Sequence, residues 1–233
     1  MSSLAENLAT VRARLAAAAR AAGRDPASVR LLAVSKTWPA EDVRALAQLG
    51  VRHFAENRVQ ELSAKAAALA DLPELRWHLV GQLQRNKAVP VVRLGATVHS
   101  VDRVPLVQAL ARAAEHEQRV VDVYVQVDLG GPAGELGARG GAGPADVPAL
   151  ADAVAASAGL RLRGLMAVAP RGEEPAPAFE RLAALAARVR EAHPGASELS
   201  AGMSGDLEAA VAAGATVVRV GTALFGARAL TSP

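Results

Sequence analysis

Short apolar runs alternate with stretches of helical periodicity along the chain, and that alternation limits the fold more than any other feature. The runs fall at about residues 30–35, 51–55, 77–81, 97–100, 121–127, 162–168, 197–200 and 216–220. Each has the length of a strand rather than a helix. Between them, Val104, Val107, Leu110 and Ala111 share one helical face, and so do Phe179, Leu182, Leu185 and Val189. Strands alternating with helices argue for parallel βαβ units. Eight such strands in 233 residues approach the ~250 residues typical of a (β/α)8 barrel. A further helical pattern precedes them: Leu4, Leu8, Val11 and Leu15 recur at steps of three and four, and Gly23 and Pro26 end it. The expected architecture is α/β, a single (β/α)8 TIM barrel domain over residues 1–233 with an extra N-terminal helix. A doubly wound open sheet competes with it, but the G-x-G-x-x-G phosphate fingerprint is absent after the first strand.

Aromatic residues make up only 3% of the chain, so the core has to come from Leu, Val and Ala. The absence of cysteine excludes disulfides and thiolate chemistry. No apolar run approaches the ~20 residues of a membrane span. The opening MSSLAENLATVRARL has no signal-peptide core, so a cytoplasmic location is expected. The pI near 9.9 accompanies a net charge of only +3. The arginines are scattered and stacking aromatics few, so no nucleic-acid partner is expected. The five histidines show no metal-ligand spacing. Residues 129–146 are rich in Gly, Pro and Ala and read as a long mobile loop after the fifth strand.

Active sites of βα barrels lie at the carboxyl ends of the strands. Lys36 follows the first strand, and it is one of only three lysines, with Lys65 and Lys87, among 26 basic residues. A lysine amine among apolar walls has its charged form disfavoured and can attack a carbonyl. Arginine stays protonated and cannot. The site therefore asks for an amine, although a surface lysine opening a loop would look the same. Asn57 and His78 fall where the barrel mouth is expected. Ser200-Ala201-Gly202-Met203-Ser204-Gly205-Asp206 joins strand seven to a helix, with Ser204 as its N-cap, and offers glycines, hydroxyls and free N–H groups to an anion. Strand eight runs into Gly221-Thr222, and barrels often bind phosphate between these two loops. Arg219 alternates with Val218 and Val220 and so points inward, where a buried guanidinium needs a partner, for instance a carboxylate on a neighbouring strand.

VSKT, F-x-EN-x-VQE, WH-x-x-G-x-LQ-x-NK, S-x-GMS-x-D-x-E-A and VRVGTALFG, in this order between about residues 30 and 228, resemble the pyridoxal-phosphate homeostasis protein family. The resemblance implies a barrel like the N-terminal domain of alanine racemase and pyridoxal 5′-phosphate (PLP) as cofactor. It implies Lys36 as the Schiff-base lysine and Ser200, Ser204, Gly221 and Thr222 as the phosphate cradle. It also implies Arg219 against the pyridine nitrogen, with Asn57, His78 and Met203 around the ring. The chain departs from the family pattern at Ala55, Arg58, Gln82 and Ala201. Its loop after strand five reads Asp128…Glu135…Arg139-Gly140-Gly141.

Arg219 bears on catalysis. A guanidinium only donates hydrogen bonds, so opposite the pyridine nitrogen it disfavours protonation there and leaves a weak electron sink. Alanine racemase works with such an arginine by adding a tyrosine base from a β-domain. This chain ends at Pro233, and its single tyrosine, Tyr124, lies within strand five. The expectation is a PLP-binding protein that stores, buffers or delivers the cofactor without robust turnover. It would be a monomer serving PLP-dependent apoenzymes. A small amino-acid racemase, in which a loop residue such as Asp128 reaches the α-carbon, and a Schiff-base aldolase-like barrel are the alternatives.

Overall fold

The computed structural model describes residues 3–130 and 140–226. Its parallel strands close into a barrel in sequence order, β1 next to β2 and so on round to β8, which pairs with β1. The strands are β1 Arg30–Val34, β2 His53–Glu56, β3 Arg76–Leu79, β4 Thr97–Val101, β5 Val121–Val127, β6 Leu160–Ala167, β7 Glu198–Ser200 and β8 Val217–Val220. The closed barrel removes the open-sheet alternative. Every strand falls on a run read from the sequence, with ends shifted by one or two residues.

The helices, in chain order, are α1 Leu4–Ala21, α2 Ala40–Gln48, α3 Val59–Ala68, α4 Ala88–Arg93, α5 Val104–His116, α6 Val147–Ala155, α7 Pro175–Ala192, α8 Leu207–Ala212 and the single turn α9 Thr222–Phe225. None is long and apolar enough among the described residues to cross a membrane. The extra helix α1 starts with a capping box, in which Ser3 and Glu6 bond each other's backbone N–H, worth roughly 1 kcal/mol. Its Leu8, Val11 and Leu15 are buried, and Arg14 pairs with Glu208 on α8. The face read on α7 is buried as expected. On α5 the buried face runs through Leu106, Val107, Leu110 and Ala113, while Val104 at the helix start is exposed.

Leu, Val and Ala dominate the layer between sheet and helices. The inside of the barrel differs. Leu32, Ala55 and Val217 form a small apolar cluster, with Val34 and Val80 beside it. The same two-residue alternation that turns Ala55 and Val217 inward also turns His53, His78, His99, Tyr124, Ser200 and Arg219 inward. Branched apolar side chains usually fill this space.

The loop after β5 is anchored at both ends. Ala142 and β5 exchange backbone hydrogen bonds, Ala142 N–H to Gln126 O and Asp128 N–H to Ala142 O, and Gln126 Nε2 donates to Gly140 O at 2.9 Å. Its middle, residues 131–139 with Glu135 and Arg139, lies outside the described residues.

Candidate functional site

A cleft of about 920 Å³ opens at the carboxyl ends of the strands, where the βα loops meet. Lys36, Asn57, Met203, Ser204, Arg219, Gly221 and Thr222 all line it. His78 and Ser200 do not.

Lys36 is exposed in the cleft rather than walled in by apolar groups, and Nζ has no partner among the described residues. Its loop is held from both sides. Lys65 on α3 donates to Ser35 O at 2.7 Å, just before Lys36. Thr37 N–H, just after it, donates to Glu61 on α3. Thr37 has φ +68°, a left-handed conformation uncommon for a branched residue. Lys65 is buried, with Nζ 2.6 Å from Glu56 Oε1 and 2.9 Å from Glu61 Oε1. The Ser35 hydroxyl adds a 2.6 Å bond to the same Glu56 oxygen. Burial pushes the Glu56 carboxyl above its ordinary range, against the pull of Lys65 and Ser35. Burial works in the same direction on Glu61, but hydrogen bonds from Lys65 and the Thr37 N–H outweigh it and hold that carboxyl low.

Arg219 forms the cleft floor. Its Nη1 donates to Ser200 O at 2.6 Å and to Ser200 Oγ at 2.9 Å, and its Nη2 to Ala167 O at 2.7 Å. The carboxylate partner expected from a neighbouring strand is absent among the described residues, and strand-end carbonyls take its place. Burial lowers the Arg219 pKa to about 10, which leaves a cation at neutral pH. Among the described residues three of its five donors are used, which leaves Nε–H and one Nη2–H.

Ser200 was expected to hold phosphate, but it is fully buried at the end of β7, and its hydroxyl is engaged by Arg219 and by His99 Nδ1 at 3.0 Å. His78 was expected beside the ring. It lies deeper in the barrel, 3% exposed, between His53 and His99. Its register partner is Ala55, two residues below Asn57, and β3 reaches the cleft only through Val80, Gly81 and Gln82.

Of the residues expected to hold phosphate, Ser204, Thr222 and Gly221 line the cleft. Ser204 is not the N-cap of α8; that position belongs to Asp206. The Ser204 Oγ instead accepts from Ala223 N–H at 3.2 Å, joining the loops after β7 and β8. Thr222 is exposed in the cleft. Gly202 makes the turn possible: its φ is +86°, and a Cβ there would stand 2.6 Å from Ala210 Cβ. Gly81 plays a similar part across the cleft, where a Cβ would sit 2.1 Å from Asn57 O.

Tyr124 is kept from the cleft. It is 1% exposed, stacks on His99 with ring centroids 4.2 Å apart, and donates to Glu198 Oε2 at 2.5 Å. Burial and the facing Glu198 carboxylate push its phenol far above the ordinary range. The Lys65–Glu56–Glu61 clamp was not read from the sequence. Its traces there are the rarity of lysine, a Glu–x3–Lys spacing at 61 and 65, and the two glutamates, Glu56 and Glu61, of F-x-EN-x-VQE.

The family described as alanine racemase, N-terminal domain, matches residues 6–229. A pyridoxal phosphate homeostasis protein of Pseudomonas aeruginosa is 49% identical over 239 residues, covering 100% of this chain and 99% of that one. One of Escherichia coli K12 is 39% identical, covering 98% of each chain. The solved structure of PipY from Synechococcus elongatus PCC7942 with PLP bound is 41% identical, with a TM-score of 0.84, and covers 96% of this chain and all of that one. With the fold, the cleft and the full-length match in agreement, this chain belongs to the pyridoxal phosphate homeostasis proteins, within the alanine racemase N-terminal domain family.

Proposed function

We propose that this chain binds PLP in the cleft over Arg219, holds it at Lys36, and stores, buffers or delivers it for PLP homeostasis without robust turnover. The observation that carries the reading is the donor set of one cleft. Lys36 offers a free amine, Arg219 two unused N–H groups, and Ser204 and Thr222 hydroxyls. These match the aldehyde, ring nitrogen and phosphate of PLP in chemistry, and the cleft has room for the whole molecule. When bound, PLP supplies an aldehyde that condenses reversibly with an amine.

Each residue then has a limited task. Lys36 presents its amine from a loop fixed on either side by Lys65 and Glu61. Arg219 remains a cationic donor at neutral pH and disfavours a proton on the ring nitrogen. Ser204 and Thr222 donate to the phosphate. Asn57 and Met203 border the ring. No tyrosine stands ready as a second base, because Tyr124 is buried and bonded to Glu198. The same reading makes residues 1–233 one PLP-binding barrel domain. It also makes the chain a cytoplasmic monomer that serves PLP-dependent apoenzymes.

The test is to add PLP, reduce with borohydride and map the labelled peptide. Label on Lys36 supports the reading, and label on Lys65 or Lys87 instead, or none, overturns it. Deuterium exchange at the α-carbon of alanine or serine no faster than with free PLP supports the carrier role. Faster exchange that disappears in Lys36→Ala makes the chain a racemase.

A further inference from the structure

Three of the five histidines stand in one row inside the barrel. His53 Nδ1 lies 3.0 Å from His78 Nε2, His78 Nδ1 lies 3.0 Å from His99 Nε2, and His99 Nδ1 lies 3.0 Å from Ser200 Oγ. Ser200 Oγ in turn accepts from Arg219 Nη1. The row starts at the N-terminal end of β2 and ends at the cleft floor. It is a chain and not a metal centre, since among the described residues no three such side chains converge to hold an ion.

We propose that His99 is a positioning residue for Arg219, at the near end of a one-way hydrogen-bond chain, Arg219→Ser200→His99→His78→His53, in which every imidazole is neutral and protonated at Nε2. Arg219 settles the direction because a guanidinium never accepts. Ser200 Oγ must therefore accept from it, and the hydroxyl proton needs an acceptor of its own. Ser200 is fully buried, and among the described residues the other hydrogen-bond partner of its hydroxyl is His99 Nδ1. That nitrogen must carry the lone pair, which puts the His99 proton on Nε2, where it donates to His78 Nδ1. The same step repeats at His78. His53 ends the chain partly exposed, so its Nε2–H meets solvent. The opposite direction would leave a buried hydroxyl proton without an acceptor, which is costly.

The surroundings favour the uncharged row. Burial lowers the proton affinity of all three imidazoles, bringing His53 to about 4 and His78 and His99 well below their ordinary value. Arg30, Arg76 and Glu198 face His53; Arg30 also acts on His78; Arg219, Arg30 and the Tyr124 ring face His99. A proton added at Nδ1 of His53 or His78 would set two N–H groups against each other, and one added at His99 Nδ1 would remove the acceptor of the Ser200 hydroxyl. The row therefore pins the Ser200 hydroxyl, and through it the plane of the guanidinium.

The consequence at the pyridine nitrogen rests on the PLP reading, whereas the tautomers do not. Long-range proton–nitrogen NMR on the full-length, uniformly 15N-labelled chain without PLP reads the tautomers directly. His53→Gln, His78→Gln and His99→Asn variants assign the signals. The expected result is three neutral, Nε2-protonated rings that do not titrate between pH 8 and 6. A proton on Nδ1 or a positive charge in any of the three at pH 7 overturns the proposal. The second arm compares His99→Phe with His99→Asn, whose side-chain oxygen can replace the Nδ1 acceptor. In PLP-loaded protein, His99→Phe shifts the pH midpoint of the visible band by about half a unit, as one weakened hydrogen bond would. His99→Asn keeps the midpoint within ~0.2 unit despite its smaller side chain. Equal midpoints in both variants and the parent overturn the positioning role and leave only packing. Failure of PLP to label Lys36 would sink the cofactor reading and leave the NMR test standing.

Discussion

Replacing Lys65 with methionine tests the clamp behind the Lys36 loop. Met keeps most of the buried stem and removes Nζ, with its bonds to Ser35 O at 2.7 Å, Glu56 Oε1 at 2.6 Å and Glu61 Oε1 at 2.9 Å. Glu61 can turn to solvent, but Glu56 cannot, because its side chain is 0% exposed and its Oε2 already lacks a partner. The variant therefore leaves a buried carboxylate facing only the Ser35 hydroxyl, a loss of about 3–5 kcal/mol. A chain of this size loses ~2–4 °C per kcal/mol, so thermal unfolding at pH 7 drops by roughly 6–20 °C. The double variant Lys65→Met/Glu56→Gln removes the stranded charge and recovers more than half of the loss. The pH dependence has a definite sign. The Glu56 pKa is already raised in the fold and rises further without Lys65. Its protonated form favours folding fully below the unfolded value of 4.5, and that contribution is lost as pH rises through the folded pKa. The gap between variant and parent therefore narrows from pH 7 towards pH 5. Glu61, held low in the parent, adds stability above 4.5 that is lost only as pH falls below that value, so it leaves the gap between pH 7 and pH 5 unchanged and narrows it only at more acid pH. A Tm within 2 °C of the parent, or a double variant no better than the single, would refute the reasoning.

Lys36→Ala abolishes the borohydride-trapped pyridoxyl label while changing stability by less than ~0.5 kcal/mol, because the side chain is exposed and unbonded; calorimetry alongside mass mapping checks both. Tyr124→Phe removes one hydrogen bond to Glu198, which keeps Arg163 and Arg30. It costs about 1 kcal/mol and leaves PLP labelling and α-proton exchange unchanged, whereas lost activity would bring Tyr124 back as a base. Gly81→Ala drives a methyl to 2.1 Å from Asn57 O, which forces the cleft wall apart. It costs roughly 1–3 kcal/mol and weakens PLP affinity in fluorescence titration at a temperature where the variant remains folded.

The barrel was legible because its signals are local. Eight short runs and the helical faces between them report burial through spacing alone, and the structure moves their ends by only one or two residues. Lys36 and Arg219 were legible for related reasons, one as the residue closing a strand, the other by alternation with two valines. Ser204 reads as an N-cap because it precedes a helix, yet its oxygen crosses to Ala223 N–H in α9, after the next strand. The role of Lys65 was not legible because its partners Ser35, just past β1, and Glu56, at the end of β2, meet only when the sheet forms.

His78 and Ser200 mark where sequence reasoning stops. Both sit at strand positions that face the barrel axis, and alternation gives that much. Height along the axis depends on how far each strand is offset from its neighbours as the sheet closes, and no local pattern encodes that offset. The closed sheet puts His78 level with Ala55 and beneath the cleft, and it brings His53, His78, His99, Ser200 and Arg219 into one row. The sequence by itself determined the architecture, the amine and the cation of the site. Only the tertiary structure decided which polar groups line the cleft and which stand behind it, because that choice is made by strand stagger across the whole barrel.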